Sequence, residues 1–476
     1  MSIVNNPGNI VSQAFDGACQ ISPLNKKLYE QLSGMDNLGC HVLDESHPDI
    51  DLVYESMDCK VGPYPYLVDD KNMQQFNEFI EHFQKLALKV LLNFFEHDSS
   101  AFQRYMNLPE MTYQLLKARG INLQETLIRY DFAFNRDMLK LLEVNIGSKI
   151  GGWQVDLTNK YVMNNLHQLE GQGFKQTKAE HITKNLYRAL LCAIEQLEKP
   201  VKSRNILLIH DEGMNQRWKD YLRLIYQQAK LKDCPEGDLI FSDTVDGLTI
   251  SQEGEVSFKE CQVDVVQLSI EERDQIPLEV MFKLIDAQMK NKLVFPDSPL
   301  CMVLGSKVLL ALFHESKTAG FLEKKELEFV KKFIPFSAPL SNNSVLWQGE
   351  TWSIAELLSR NKDNLVIKKS ISFQGRDVFI GRFTDTQSWQ QVCAEKTEEG
   401  GWIVQEYCNN GSLLGVSPEH GLEYFKHVWA IFECGNRFSG MFVRGSAELI
   451  DGVINSAKGA NVYLAFSKHQ RNTLVI

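Results

Sequence analysis

The 476-residue sequence predicts a mixed fold, part α/β and part α+β, on three observations. Between about 200 and 300, short apolar runs alternate with a helical stretch, the pattern of a parallel α/β unit. Near 129, two strand-like runs flank a tight turn, and the last third holds several more runs of that kind. The chain is too long for one compact core, so two or three domains are expected. The division it suggests is a partly helical N-terminal region at 1–115 and a hairpin with following helices at 116–200. An α/β unit at 201–300 and an α+β domain of its own at 301–476 complete it.

Taken in order, residues 1–65 are mixed, with turn punctuation at Pro7-Gly8, His47-Pro48 and Gly62-Pro63. From about Lys71 to Phe102, "MQQFNEFIEHFQKLALKVLLNFFEH" sets apolar residues at helical spacing and predicts one long amphipathic helix. The hairpin "RYDFAFNRDMLKLLEVNIGSKIGGW" follows at 129–153. Side chains two apart on a strand share a face. Arg129 and Asp131 therefore share one face, Tyr130 and Phe132 the other; Glu143 and Asn145 likewise share a face. An odd-length loop centred near Asp137 would set Asp131 opposite Glu143 and Arg129 opposite Asn145. Opposed carboxylates repel, so something positive is expected between them.

"VMNNLHQLEGQGF" and "AEHITKNLYRALLCAIEQLEK" predict helices. "RNILLIHDEG", "GDLIFSD" and "VDVVQLS" predict three strands of the α/β unit, with "NQRWKDYLRLIYQQAKL" as a helix between the first two. Beyond Gly305, "SKVLLALFHES" and "EKKELEFVKKFI" read as helices, and "NLVIKKSISFQGRDVFIGRF" as two strands joined by a Gly-containing loop. "GWIVQEYC", "HVWAIFECGNRFSGMFVRGSAELI" and "VYLAFS" are further strands.

A net charge of −11 without basic clustering gives no support to a nucleic-acid scaffold, so no nucleic-acid partner is expected, while a local basic pocket for a phosphorylated ligand remains compatible. There is no apolar run of membrane-spanning length and no signal-peptide pattern, so a soluble cytoplasmic protein is expected, with no membrane partner. Ten scattered cysteines without a CxxC pair read as free thiols, and no His or Cys signature of a metal or nucleophile site is present.

Five constellations can carry chemistry, and a sixth follows a strand of the α/β unit. Arg129, Asp131, Glu143 and Asn145 offer hard oxygen ligands for Mg²⁺; the plain alternative is a solvated face with an Arg–Asp pair. Lys368-Lys369 ends a strand before a loop with Gly375, which suits a phosphate cradle or simply a hairpin turn. Gln405-Glu406 interrupts an apolar strand, as adenine-reading hinge strands and many edge strands do. Arg444, among small residues, could meet a phosphate or a structural carboxylate. Lys307 stands just inside a predicted helix, where the dipole disfavours a cation, which hints at a ligand. His210-Asp211-Glu212 lies at a strand's carboxyl end, where open α/β sheets bind ligands.

Together these residues resemble circularly permuted ATP-grasp ligases, including the synthetase domain of glutathionylspermidine synthase. That family has an Arg-x-Asp strand and a Glu-x-Asn strand, with the Glu twelve residues after the Asp, as Asp131 and Glu143 stand here. The metal strands also precede the Lys and Gly-loop strands, the permuted order. "SKVLLALFHE", "LVIKKSISFQGRDVFIG", "WIVQEYC" and "GMFVRGS" are similar to its later segments, and the likeness covers roughly 120–160 and 300–465. Lys369 replaces the family's Pro, the loop "FQGRD" is leaner, and no thiol-protease domain precedes, so spermidine specificity does not carry over.

The resemblance implies a circularly permuted ATP-grasp fold accompanied by a Rossmann-like parallel α/β domain. It implies Mg²⁺ on Asp131, Glu143 and Asn145, and ATP on Lys307, Lys368 and Gly375, with Gln405, Glu406 and Tyr407 as the adenine hinge. Arg129 and Arg444 would face the transferring phosphoryl group. The activity implied is ATP-dependent amide formation from small-molecule carboxylate and amine substrates through an acyl phosphate. An inactive nucleotide-binding homologue and an ATP-dependent phosphotransferase are the alternatives, and the family allows a homodimer.

Overall fold

The computed structural model describes residues 7–35, 43–135, 138–230, 236–270, 276–372, 377–417, 421–447, 452–455 and 459–468. The N-terminal region is more regular than its mixed pattern predicts. Helices α1 (Pro7–Ile21), α2 (Pro23–Ser33) and α3 (Pro48–Met57) precede a short strand, β1 (Tyr66–Val68). Pro7 and Pro48 open helices rather than mark turns. The fixed φ of proline suits the first helical position, whose missing N–H is unpaired in any case. Helix α4 (Asp70–Phe94), capped by Asp69, is shorter than expected. The chain breaks after Phe94, and Asp98 caps a separate helix, Ser99–Met106, by accepting from the Ala101 N–H at 3.1 Å. Apolar spacing runs on through Phe95 and Phe102, both buried, so periodicity could not reveal the break; Asp98-Ser99 is its signal.

Strands β2 (Leu127–Asn135) and β3 (Met138–Ile146) form the expected hairpin. Arg129 lies opposite Asn145 and Asp131 opposite Glu143. The register arises differently from the expectation: Asn135 already pairs with Met138, and an irregularity between Asp131 and Phe132 shifts the ladder by one residue. Such a bulge re-aims the side chains beside it.

The last third does not close on itself as an α+β domain. Its strands Gly421–Cys434, Phe438–Ser446 and Asn461–Lys468 lie between the hairpin and β1 in one eight-stranded sheet. Gly421–Cys434 runs antiparallel to β2, and Asn461–Lys468 runs parallel to β1. Helix α4 covers one face, where Phe79 packs against Tyr130 at 5.0 Å and Phe132 at 4.8 Å between ring centroids. That burial holds the even-numbered side chains of β2 inward and turns Arg129 and Asp131 to the opposite face.

The α/β unit has three parallel strands, with Ile206–His210 between Val265–Ser269 and Leu239–Ser242, as the sequence predicts. A separate four-stranded sheet orders Ser337–Pro339, Trp402–Glu406, Leu365–Lys369 and Val378–Ile380, all neighbours antiparallel. Among the described residues no helix is long and apolar enough to cross a membrane. Cys301 and Cys434 are buried free thiols, in keeping with the scattered cysteine pattern.

Candidate active site

The positive charge expected between the opposed carboxylates is supplied by the chain itself. Arg129 grips Asp131 with two bonds, Nε to Oδ1 at 3.0 Å and Nη2 to Oδ2 at 3.2 Å. Arg444, 313 residues away in sequence, donates from Nη2 to the same Oδ2 at 2.7 Å, and the Asn145 amide adds a bond at 3.2 Å. Burial alone would push the Asp131 carboxyl up; Arg129 and then Arg444 overcome this and hold it below the usual carboxylate range. The Arg444 Nε is buried without a hydrogen-bond partner among the described residues.

Glu143 is paired by Lys307 at 2.8 Å. Lys307 is the first residue of a short helix, Lys307–Leu312, and its own N–H donates to the Ser370 carbonyl at 2.9 Å. Its ammonium therefore answers a carboxylate, which offsets its unfavourable place on the helix dipole. Lys368 comes from the four-stranded sheet and reaches across to β3, donating to the Leu142 carbonyl at 3.1 Å. Burial pulls its ammonium down to about 8, with Glu143 pushing it back up and Lys307 pulling it further down.

The glycine-rich segment after β3 is clamped against this cluster. Arg129 Nη1 donates to the Gly151 carbonyl at 2.8 Å. Ser148 binds Asp297 through its backbone N–H at 2.8 Å and its hydroxyl at 2.6 Å, and Lys149 pairs with Asp211 beyond the Ile206–His210 strand. Gly152 has φ +105°, and a Cβ there would meet the Phe442 ring at 2.3 Å, so only glycine fits.

Seven of the residues singled out in the sequence thus converge: Arg129, Asp131, Glu143, Asn145, Lys307, Lys368 and Arg444. Gln405 joins them, but through its side chain, with Oε1 accepting from Lys368 at 2.6 Å. Glu406 and Tyr407 do not. Their N–H groups donate to the Phe336 and Asn364 carbonyls at 2.8 and 2.7 Å, and the Tyr407 ring lies 4.2 Å from the Arg382 guanidinium. Gly375 lies outside the described residues. Leu142, Gly151 and Ser337 take part through carbonyls and a hydroxyl, contacts that no residue pattern marks in advance.

No family model and no curated protein matches the sequence. Solved structures do. The chain aligns with a glutathione synthetase-like effector from Globodera pallida, with a TM-score of 0.55 at 12% identity, over 97% of each chain. It shares that protein's fold. A protein provisionally named γ-glutamylcysteine synthetase, from Methylobacillus flagellatus, aligns over 81% of this chain and 88% of its own, at 10% identity and a TM-score of 0.37. That likeness is too weak to say anything about the fold.

Mg²⁺ sets a simple demand on the donor set. No three His, Cys, Asp or Glu side chains gather as a metal cage among the described residues. Mg²⁺ does not need one, since it commonly takes one or two protein oxygens and completes its shell with water and phosphate. Glu143 and Asn145, adjacent on one face of β3 and partly exposed, fit that demand. Asp131 is engaged by two guanidinium groups and an amide, and fits the role of holding them in place.

Proposed function

We propose that the protein is an ATP-dependent ligase that joins a small carboxylate to an amine and releases ADP and phosphate. One observation carries this reading. Four cations, Arg129, Arg444, Lys307 and Lys368, face two carboxylates, Asp131 and Glu143, in a protein whose net charge is −11. A local cationic excess on an acidic molecule suits a triphosphate.

In the proposed reaction the substrate carboxylate attacks the γ-phosphate of ATP, forming an acyl phosphate and ADP. The amine then attacks the acyl carbon and expels phosphate. Phosphoryl transfer of this kind depends on positioning and charge stabilisation more than on a nucleophilic side chain. Lys307 and Lys368 would hold phosphate oxygens, while Arg129 and Arg444 would face the phosphoryl group in transfer. Glu143 and Asn145 would hold Mg²⁺, which when bound neutralises phosphate charge. The ATP-grasp core would be assembled from the hairpin and the elements after 301, with the unit at 201–300 beside it.

The test is to incubate the protein with Mg²⁺–ATP and pooled carboxylates and amines, then identify products by mass. ADP, phosphate and a new amide are expected. AMP with pyrophosphate would overturn the acyl-phosphate route. A nucleotide-binding protein without turnover is the second reading, and the pairing of both carboxylates with the chain's own cations favours it. It predicts ATP binding without carboxylate-dependent ADP release.

Both readings share a pH signature. Lys368 has a lowered value near 8, so it is charged below that pH and neutral above it. ATP affinity should hold below pH 8 and fall as pH rises through it, by up to roughly tenfold per pH unit for one linked proton. Calorimetry across pH 7 to 9.5 checks this; a flat profile would remove Lys368 from the phosphate site.

A further inference from the structure

Gln405 sits in the middle of the four-stranded sheet, paired with Ser337 on one side and Val366 on the other. Lys368 is two residues beyond Val366, so its side chain lies diagonal to Gln405 on the same sheet face. A directional chain of hydrogen bonds fixes the Gln405 amide. The Ser337 hydroxyl donates to the Pro335 carbonyl at 3.2 Å, which leaves its oxygen to accept from Gln405 Nε2 at 3.3 Å. The carbonyl end, Oε1, must then face away from Ser337, and it accepts from Lys368 at 2.6 Å. Ser337 is 0% exposed, Gln405 1% and Lys368 7%, so solvent does not compete for these bonds.

We propose that Gln405 is a positioning residue that holds the Lys368 ammonium toward the anion site without neutralising it. The proposal rests on the assignment of Lys368 to ATP phosphates. With Gln405 and the Leu142 carbonyl as acceptors, two of the three ammonium N–H groups are used among the described residues, and the third can serve a ligand oxygen. An amide is the side chain that does this at full length. A carboxylate at 405 would pair with the ammonium and repel phosphate, whereas an apolar residue would leave a buried N–H without an acceptor. Lys368 is also faced by Asp131 from β2, Glu143 from β3, Lys307 from its helix and Cys408 beyond the Trp402–Glu406 strand. All four are unchanged by a substitution at 405.

The experiment compares Gln405→Met and Gln405→Glu with the wild type in the full chain. One readout needs no nucleotide: the pH midpoint of Lys368 acetylation by acetic anhydride, measured by peptide mass spectrometry. The midpoint should fall in Gln405→Met and rise in Gln405→Glu. ATP binding, by calorimetry, should weaken roughly tenfold or more in both. Shifts in opposite directions separate a tether on the ammonium from general disruption of the sheet. Unmoved midpoints would overturn the proposal even if ATP binding fell. Shifted midpoints in a protein whose wild type does not bind ATP would instead overturn the nucleotide reading and leave the tether standing. Gln405→Glu, close in shape, keeps the test decisive if Gln405→Met does not fold.

Discussion

Asp131→Asn is expected to lower the melting temperature by on the order of 3–5 °C, a large effect for so small a change in so long a chain. The substitution alters one atom in shape but removes the negative charge that two buried guanidinium groups share. Arg129 is 13% exposed and Arg444 10% in their side chains, so water cannot take over the role of the carboxylate. Removing one partner of a buried ion pair typically costs about 3–5 kcal/mol, because the other charge stays buried and uncompensated. Here two such charges are left, close to Lys307 and Lys368. The acid side of the stability profile should change as well. A carboxyl held below its ordinary value contributes stability that is full above about pH 4 and is lost as pH falls through its folded value. The variant should therefore lose stability at neutral pH and lose less of what remains on acidification. Thermal melts at pH 7 and pH 3 measure both. A melting temperature within a degree of the wild type at pH 7 would mean that Asp131 does not hold the two arginines.

The hairpin was legible because alternation assigns faces and the facing residues are only 12 to 16 apart in sequence. Local pattern could even require a compensating positive charge between Asp131 and Glu143. It could not say which one. Arg444 and Lys307 arrive by strand and helix placements that no local period encodes, and Arg444 depends on the last strands joining β2 rather than forming a sheet of their own. The bulge at Asp131 was equally hidden, since an even loop with a bulge and an odd loop without one give the same register at the site. In "WIVQEYC" the polar pair was visible, and the structure adds where it bonds: the Gln405 side chain to Lys368, and the Glu406 N–H to the Phe336 carbonyl. A strand with neighbours on both sides has its backbone groups bonded within the sheet, which leaves the Gln405 side chain to meet Lys368. Within 1–65 the helices carry no clear local signal, because proline marks turns and helix starts alike.

Glu143→Gln should abolish most turnover, by roughly a hundredfold or more, while leaving the fold intact. The amide is isosteric and still accepts from Lys307, whose ammonium lies 2.8 Å from the carboxylate. Glu143 is 24% exposed in its side chain but Lys307 only 4%, so it is the hydrogen bond kept by the isosteric amide, rather than solvent, that must hold the ammonium. The expected control is a folded protein whose melting temperature falls by less than that of Asp131→Asn, since one buried cation loses its carboxylate here and two lose it there. Function is affected twice. Lys307 loses the charge that fixes it. The oxygens fitted to Mg²⁺ also change, from a carboxylate beside the Asn145 amide to two neutral amides, which bind a hard cation far more weakly. The Mg²⁺ concentration for half-maximal rate should rise together with the loss of rate, whereas Asp131→Asn should leave that concentration nearly unchanged in the protein that remains folded. That contrast separates a carboxylate that meets the cation from one that aligns arginines. Equal Mg²⁺ dependence in the two variants would return Asp131 to the metal site, and undiminished turnover in Glu143→Gln would remove Glu143 from it.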